Sequence, residues 1–187
     1  RGTDADDNFV GGDGVDLLSG RGGNDSLNGG NFRDSIYGGE GDDMLDGGAG
    51  ADIMAGGRGD DTVLGGFGAD QISGGAGDDS LFGGAGQDIL EGGTGNDTFN
   101  GGFDADRFVL SLNNGNDVID GFANGFDQID VSAFDVGFAD FATKLAPALS
   151  DTGGFQTLLD LSALGGSGTL LIDEAIGNLD VTDFVFV

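Results

Sequence analysis

The sequence predicts an all-β solenoid with parallel strands, on three observations. A nine-residue period runs through twelve consecutive blocks, one place in every block is apolar, and 42 glycines stand beside a single proline. The blocks run without insertion from Gly2 to Val109. A well-formed one is Gly74-Gly75-Ala76-Gly77-Asp78-Asp79-Ser80-Leu81-Phe82, and glycine opens all twelve. The sixth place is always aspartate: Asp7, Asp16, Asp25, Asp34, Asp43, Asp52, Asp61, Asp70, Asp79, Asp88, Asp97 and Asp106. The eighth is always apolar: Phe9, Leu18, Leu27, Ile36, Leu45, Met54, Val63, Ile72, Leu81, Leu90, Phe99 and Phe108. Three places held in phase for twelve periods are not a chance pattern.

Each part of the block has a physical reading. Places six to nine, such as Asp79 to Phe82, alternate and predict a short strand with its eighth residue inward. Places one to six, such as Gly74 to Asp79, predict a turn, in which glycine supplies positive φ and lets carbonyls crowd a common centre. Two blocks make one full turn of 18 residues, so each block stacks on the next but one. The eighth-place side chains then form a narrow apolar ladder. One large side chain per block is a thin core, too thin to offset the ordering entropy of so many glycines.

Composition narrows the function classes. With 34 acidic against six basic residues, the formal charge is −28, which excludes nucleic acid and anionic membranes as partners. Such a charge also opposes compaction, so a cationic component is expected. Cysteine is absent, which excludes disulfides and thiolate metal sites. Histidine and tryptophan are absent too, removing the commonest general base and transition-metal ligand. No apolar run approaches the roughly 18 residues that span a bilayer, so membrane insertion is not expected. The chain starts at Arg1 without a visible signal peptide, and reads as a piece of a longer protein.

The donors on offer are oxygens alone. Ca²⁺ takes six to eight of them at about 2.3–2.6 Å, and stacked turns present an aspartate from each loop plus loop carbonyls. Magnesium demands a stricter octahedron and keeps its waters, and zinc lacks its usual nitrogen and sulfur ligands here.

The blocks match G-G-x-G-x-D-x-U-x, the nonapeptide pattern associated with calcium-binding RTX repeats. The chain therefore resembles the RTX, or haemolysin-type calcium-binding, repeats of bacterial secreted proteins. The resemblance implies a right-handed parallel β-roll with a column of calcium ions along each edge. Each ion would take the carbonyls of places two and four and the aspartate of one turn, with carbonyls one and three and the aspartate of the next. Gly57, Gly59 and Asp61 would thus share an ion with Gly74, Ala76 and Asp79. The ligand glycines implied for blocks five to eleven are Gly39, Gly41, Gly48, Gly50, Gly57, Gly59, Gly66, Gly68, Gly75, Gly77, Gly84, Gly86, Gly93 and Gly95. Six loops on each edge leave five gaps, hence at most ten stacked ions.

Several blocks depart from the pattern. The first lacks two glycines and reads as an imperfect N-terminal cap. Arg21 replaces a glycine in the third, and Phe32 and Arg33 enter the fourth, where a bulky residue at positive φ is strained. Asp104 takes the fourth place of the last block, which aspartate tolerates better than most. Fifth-place acids such as Asp42, Asp60 and Asp78 are expected to face solvent.

After Val109 the nine-residue period stops, and residues 110–187 are expected to form a mainly β cap. Arg107-Phe108-Val109-Leu110, Asn116 to Phe122 and Asp127 to Phe134 alternate. They resemble the segment that follows the repeats in serralysin-type proteases, a likeness that implies one further calcium ligand, Asp117. Phe138 to Leu145 predicts a short amphipathic helix ended by Pro147, and Thr157-Leu161 and Thr169-Asp173 predict strands. A solenoid end exposes its core and strand edges, so a cap is physically required. The terminal Asp183-Phe184-Val185-Phe186-Val187, an acid followed by apolar residues, resembles the C-terminus of proteins exported by type I secretion.

The expected function is that of a calcium-binding C-terminal module of a secreted protein, extracellular, unfolded in low calcium and folding on Ca²⁺ outside. Its expected partners are calcium ions, the type I exporter and an upstream domain that the sequence does not identify. Catalysis is not expected, since no nucleophile–base pair is present. The alternative is a polysaccharide-binding or adhesin-type module. An ice-binding surface is excluded, because Gly93-Thr94-Gly95-Asn96-Asp97 is the one loop of the kind it needs.

Overall fold

The computed structural model describes residues 1–123, 126–134, 149–151, 157–160, 169–172 and 183–185. Its repeat region is a parallel β-roll. Eleven strands of six residues follow one another at nine-residue intervals. They are β1 (Asn8–Asp13), β2 (Leu17–Gly22), β3 (Ser26–Asn31), β4 (Ser35–Glu40), β5 (Met44–Ala49) and β6 (Ile53–Arg58), followed by β7 (Thr62–Phe67), β8 (Gln71–Ala76), β9 (Ser80–Ala85), β10 (Ile89–Thr94) and β11 (Thr98–Phe103). Strand β12 (Arg107–Val109) closes the repeats.

The strand phase differs from the sequence expectation. Strand β9 starts after Asp79 and continues through Gly83-Gly84-Ala85, so each strand covers places seven to nine and the first three of the next block. Places four to six alone make the turn. The paired glycines look like turn residues, yet the first of them points inward where no side chain fits, so the chain stays extended through it. The second bends the strand: Gly84 has φ 109° and Gly75 has φ 120°.

Stacking obeys the 18-residue turn. In β7 and β9, Thr62 pairs with Ser80, Val63 with Leu81 and Gly66 with Gly84. Odd blocks build one sheet and even blocks the other. Between them lie the eighth-place side chains from Leu27 to Phe108, all buried, with Phe9 and Leu18 partly buried at the N-terminal end. Phe99 and Phe108, from opposite sheets, meet edge to face at 6.0 Å.

The ladder outlasts the nine-residue period. Strand β13 (Asn116–Ile119) pairs with β11 in parallel, and β14 (Gln128–Asp130) pairs with β12. Strand β17 (Thr169–Ile172) stacks on β13, and β18 (Phe184–Val185) stacks on β14. Leu110, Ile119, Ile129, Leu170, Ile172 and Phe184 extend the buried core to this end. Antiparallel pairing enters only with β15 (Leu149–Asp151) and β16 (Thr157–Asp160), the latter on β17. The strands expected from Arg107 to Leu110, around Asn116, after Asp127, at Thr157 and at Thr169 are therefore present. A 3₁₀ turn, Ser132–Phe134, follows β14. The helix expected over Phe138 to Leu145 lies outside the described residues. No helix among them is long and apolar enough to cross a membrane.

Candidate metal centre

The sixth-place aspartates form two continuous ladders, one along each edge of the roll. Places four to six turn the chain there, and stacking at 18 residues sets each aspartate beneath the next. The amide of Asp61 donates to Oδ1 of Asp79 at 2.8 Å, and that of Asp79 donates to Oδ1 of Asp97 at 3.0 Å. On the other edge Asp52 donates to Asp70 at 2.7 Å, and Asp70 to Asp88 at 2.8 Å. From Asp25 onward, each carboxylate spends one oxygen on this bond. Its other oxygen, Oδ2, is buried and without a hydrogen-bond partner in Asp16, Asp25, Asp34, Asp43, Asp52, Asp61, Asp70, Asp79, Asp88, Asp97, Asp106 and Asp117. An unpaired buried carboxylate oxygen is costly. Twelve aligned in two columns describe a cation site repeated along each edge.

A main-chain oxygen faces the same space. A Cβ on Gly47 would lie 2.6 Å from Oδ2 of Asp52 and 2.6 Å from the carbonyl oxygen of Gly65 on the next turn. Gly11 is alike, with Asp16 Oδ2 at 2.6 Å and Gly29 O at 2.5 Å. First-place glycine is thus required by close approach, because any side chain would fill the cradle between carboxylate and carbonyl. Among the described residues no three acidic side chains converge on one point. The donor set is one carboxylate per turn plus carbonyls, which suits Ca²⁺.

Of the glycines expected as carbonyl donors, those at the fourth place sit in the turns and those at the second place sit near the ends of the strands that enter them. Of those at the second and fourth places of blocks five to eleven, all but Gly50 have positive φ, between 89° at Gly48 and 136° at Gly68 and Gly77. Three non-glycine residues share that conformation: Arg21 (φ 89°), Phe32 (φ 74°) and Asp104 (φ 79°). All three are among the departures singled out from the sequence.

Burial dominates the electrostatics of the ladder. It pushes the Asp79, Asp88 and Asp117 carboxyls up to about 7, and those of Asp52, Asp61 and Asp106 to about 6. The bond from the neighbouring amide opposes the shift, and adjacent aspartates reinforce it. Asp43, Asp70 and Asp97 are raised for the same first reason.

Both ladders pass beyond the repeats. Asp97 donates to Oδ1 of Asp117, and Asp106 donates to Oδ1 of Asp127, each at 3.0 Å. Asp117 was expected on resemblance; Asp127 was missed, because its 21-residue spacing from Asp106 breaks the period. One end of each ladder differs from its middle: Asp7 on the odd edge and Asp127 on the even edge. Oδ2 of Asp127 accepts the Ala123 amide at 2.8 Å, and Oδ2 of Asp7 accepts the Thr3 amide at 2.7 Å. Protein donors thus occupy the oxygens that lie free in the other twelve.

A second ladder was also missed. On the odd-block edge Asp60 donates its amide to Oδ1 of Asp42 at 2.9 Å, Asp78 to Asp60 at 2.8 Å and Asn96 to Asp78 at 2.8 Å. These side chains face solvent as expected, yet they are stacked. The even-block edge carries Ala51, Ala69 and Ala105 at the same place.

Comparison with known proteins agrees with this geometry. The model of the RTX calcium-binding nonapeptide repeat matches residues 1–36, 19–54, 28–63, 55–90 and 82–114. A repeat subunit, AlgE6R3, of the Azotobacter vinelandii mannuronan C5-epimerase is 33% identical, with a TM-score of 0.55, over 70% of this chain and 80% of that one. The extracellular lipase LipA of Serratia marcescens, at 16% identity and a TM-score of 0.53, shares the fold over 100% of this chain, which spans 39% of the lipase. No curated protein sequence matches the chain significantly. Period, ladder and matched residues coincide: the chain belongs to the RTX calcium-binding nonapeptide repeat family, and is a calcium-binding β-roll module.

Proposed function

We propose that this module is a calcium-triggered folding unit of a secreted protein, with residues 2–109 as the calcium β-roll and 110–187 as its cap. One observation carries the proposal: twelve buried carboxylate oxygens lack partners in a chain of net charge −28. Without a cation these groups oppose folding; with one they hold the turns together. Oδ2 of each aspartate from Asp16 to Asp106, and of Asp117, would supply the charged ligand. The turn carbonyls from Gly39 to Gly95 and the first-place carbonyls would supply the rest. About ten ions would contribute 20 positive charges against the 28 negative ones.

Linkage then sets the order of events. A cation that binds only the folded stack pulls folding forward in proportion to its concentration. In calcium-poor cytoplasm the acidic chain stays extended, which suits passage through a type I exporter. Extracellular calcium, near the 10⁻⁴–10⁻³ M at which such modules bind, folds it afterwards. The apolar C-terminus after Asp183 would serve both as the export address and, through β18, as the last rung on β14. The serralysin-like cap and the upstream partner domain belong to the same proposal. Catalysis would reside in that upstream domain, not here.

Far-UV circular dichroism tests this: the chain should be largely unfolded in EDTA and β-rich in millimolar Ca²⁺, with about ten ions bound by titration. Unchanged dichroism on chelation would sink it.

A further inference from the structure

The rim of the odd-block sheet that borders the even-block turns carries, in strict register, Asp13, Asn31, Ala49, Phe67, Ala85 and Phe103. Phe67 and Phe103 are 71% and 76% exposed, and Phe32, which follows Asn31 in the chain, is 61% exposed. Phe67 and Phe103 therefore stand in one column two strand steps apart, about 9.6 Å from parallel-strand spacing, and Phe32 lies in the turn one residue beyond the Asn31 rung, two further steps along the same edge. Alanine occupies the rung between successive rings, so nothing bulky blocks the interval.

This spacing decides the occupant. A lipid surface or a loose apolar partner imposes no such interval, and neither needs a small residue at alternate rungs. An extended β-1,4-linked polysaccharide does, because its rings turn over at each linkage and repeat every second sugar, close to the two-strand interval of about 9.6 Å. Polar groups flank the row at both ends: Asn31 beside Phe32, and Asp104 beside Phe103. Such groups suit hydroxyls and are wasted on hydrocarbon. The charge selects among polysaccharides. Arg33 follows Phe32 in the chain, but it is one of only six basic residues on a chain of −28, so an acidic polymer is repelled. The column Asp42, Asp60 and Asp78 lies on the opposite edge, away from the rings.

We propose that this edge binds a neutral, extended β-1,4-linked polysaccharide, with Phe32, Phe67 and Phe103 stacking on alternate sugar rings. The inference goes beyond the calcium reading and needs only the folded roll, whatever holds it together.

The test is retention of the full chain on swollen cellulose, with titration against soluble cello-oligosaccharides, in calcium buffer. Phe103→Ala should weaken binding about fivefold, and Phe67→Ala with Phe103→Ala about thirtyfold, if separated rings act additively. Phe82→Ala, a ring outside the row, should leave binding unchanged. The decisive variant pairs Phe103→Ala with Ala85→Phe, which keeps three rings but moves one by a single strand. It should bind no better than Phe103→Ala alone. Wild-type affinity in that variant, equal retention of the double alanine variant, or no retention of the parent chain overturns the proposal. So does preferential binding to alginate. Binding to phosphatidylcholine vesicles or self-association by light scattering, lost in the double alanine variant without cellulose retention, reassigns the row to lipid or to a second copy. Dichroism with and without EDTA in the same buffer reads the calcium proposal separately, so either can fail alone.

Discussion

The two edges of the roll share one buried device and differ in everything outside it. Each carries a continuous aspartate ladder with Oδ1 on the next amide and Oδ2 unpartnered. Outside, the odd edge adds a second rank, Asp42, Asp60, Asp78 and Asn96, hydrogen-bonded rung to rung. The even edge has no acid at that place, with alanine in three of its six blocks, and the exposed rings of Phe67 and Phe103 near it. The buried ladder is thus a condition of folding on both sides, while the outer rank is free to specialise.

This comparison can be broken most forcefully by acid. Burial raises the ladder carboxyls on both edges, to about 7 in Asp79 and Asp88, from an ordinary value of 3.8. A group raised in the folded state favours folding at low pH, fully so below its unfolded value, and that contribution disappears as pH rises through the folded one. In EDTA, therefore, folded content should increase as pH is lowered from about 8 to about 5, toward the range where these carboxyls are protonated. In calcium the sign reverses, because the ion needs the ionised carboxylate, so affinity should fall through the same window. Dichroism across pH in both buffers reads the two trends. Parallel trends would mean that the ladder carboxylates do not hold the ion.

Substitution on the two edges comes next. Asp79→Ala on the odd edge and Asp88→Ala on the even edge each remove a charge-assisted hydrogen bond from a buried amide, worth about 1.5–3 kcal/mol, together with a ligand oxygen. Both should raise the calcium midpoint of folding by similar amounts. A large inequality would show that the edges are not equivalent beneath the surface.

Backbone strain offers a smaller effect of opposite sign. Arg21 sits at φ 89° where every other block but the first has glycine, a conformation that costs an L-residue about 1–2 kcal/mol. Arg21→Gly should stabilise the calcium-loaded roll by about 1 kcal/mol in denaturant unfolding. Asp104→Gly on the even edge should gain less, because aspartate visits this region at lower cost. The smallest effect belongs to the outer rank. Asp78→Ala should change stability by no more than about 0.5 kcal/mol, since its bonds are solvated and its charge is one of many. A loss comparable to that of Asp79→Ala would place a cation on the outer rank as well.

Much of this was legible from residues alone. Aspartate at place six and an apolar residue at place eight announce the ladder and the core, and Arg21, Phe32 and Asp104 stand out from the repeat pattern as glycine replacements. The strand phase was not legible, because Gly83-Gly84 looks like a turn; only stacking reveals that first-place glycine faces a carboxylate and a carbonyl. Asp127 was hidden by an insertion that breaks the count yet leaves the stacking intact. The outer rank was hidden because its residues are exposed polar groups, whose pairing depends on neighbours 18 residues away.

The sequence by itself determined the period, and the period determined the turn length, the inward face and the place of the ladder aspartates from Asp7 to Asp106. Those follow from local geometry repeated. Only the tertiary structure decided how each carboxylate divides its two oxygens, which glycines serve curvature and which serve close approach, and where the ladders end, at Thr3 and at Ala123. The physical reason is that these depend on contacts across stacked turns, where a main-chain donor or acceptor comes from a residue that local pattern does not name.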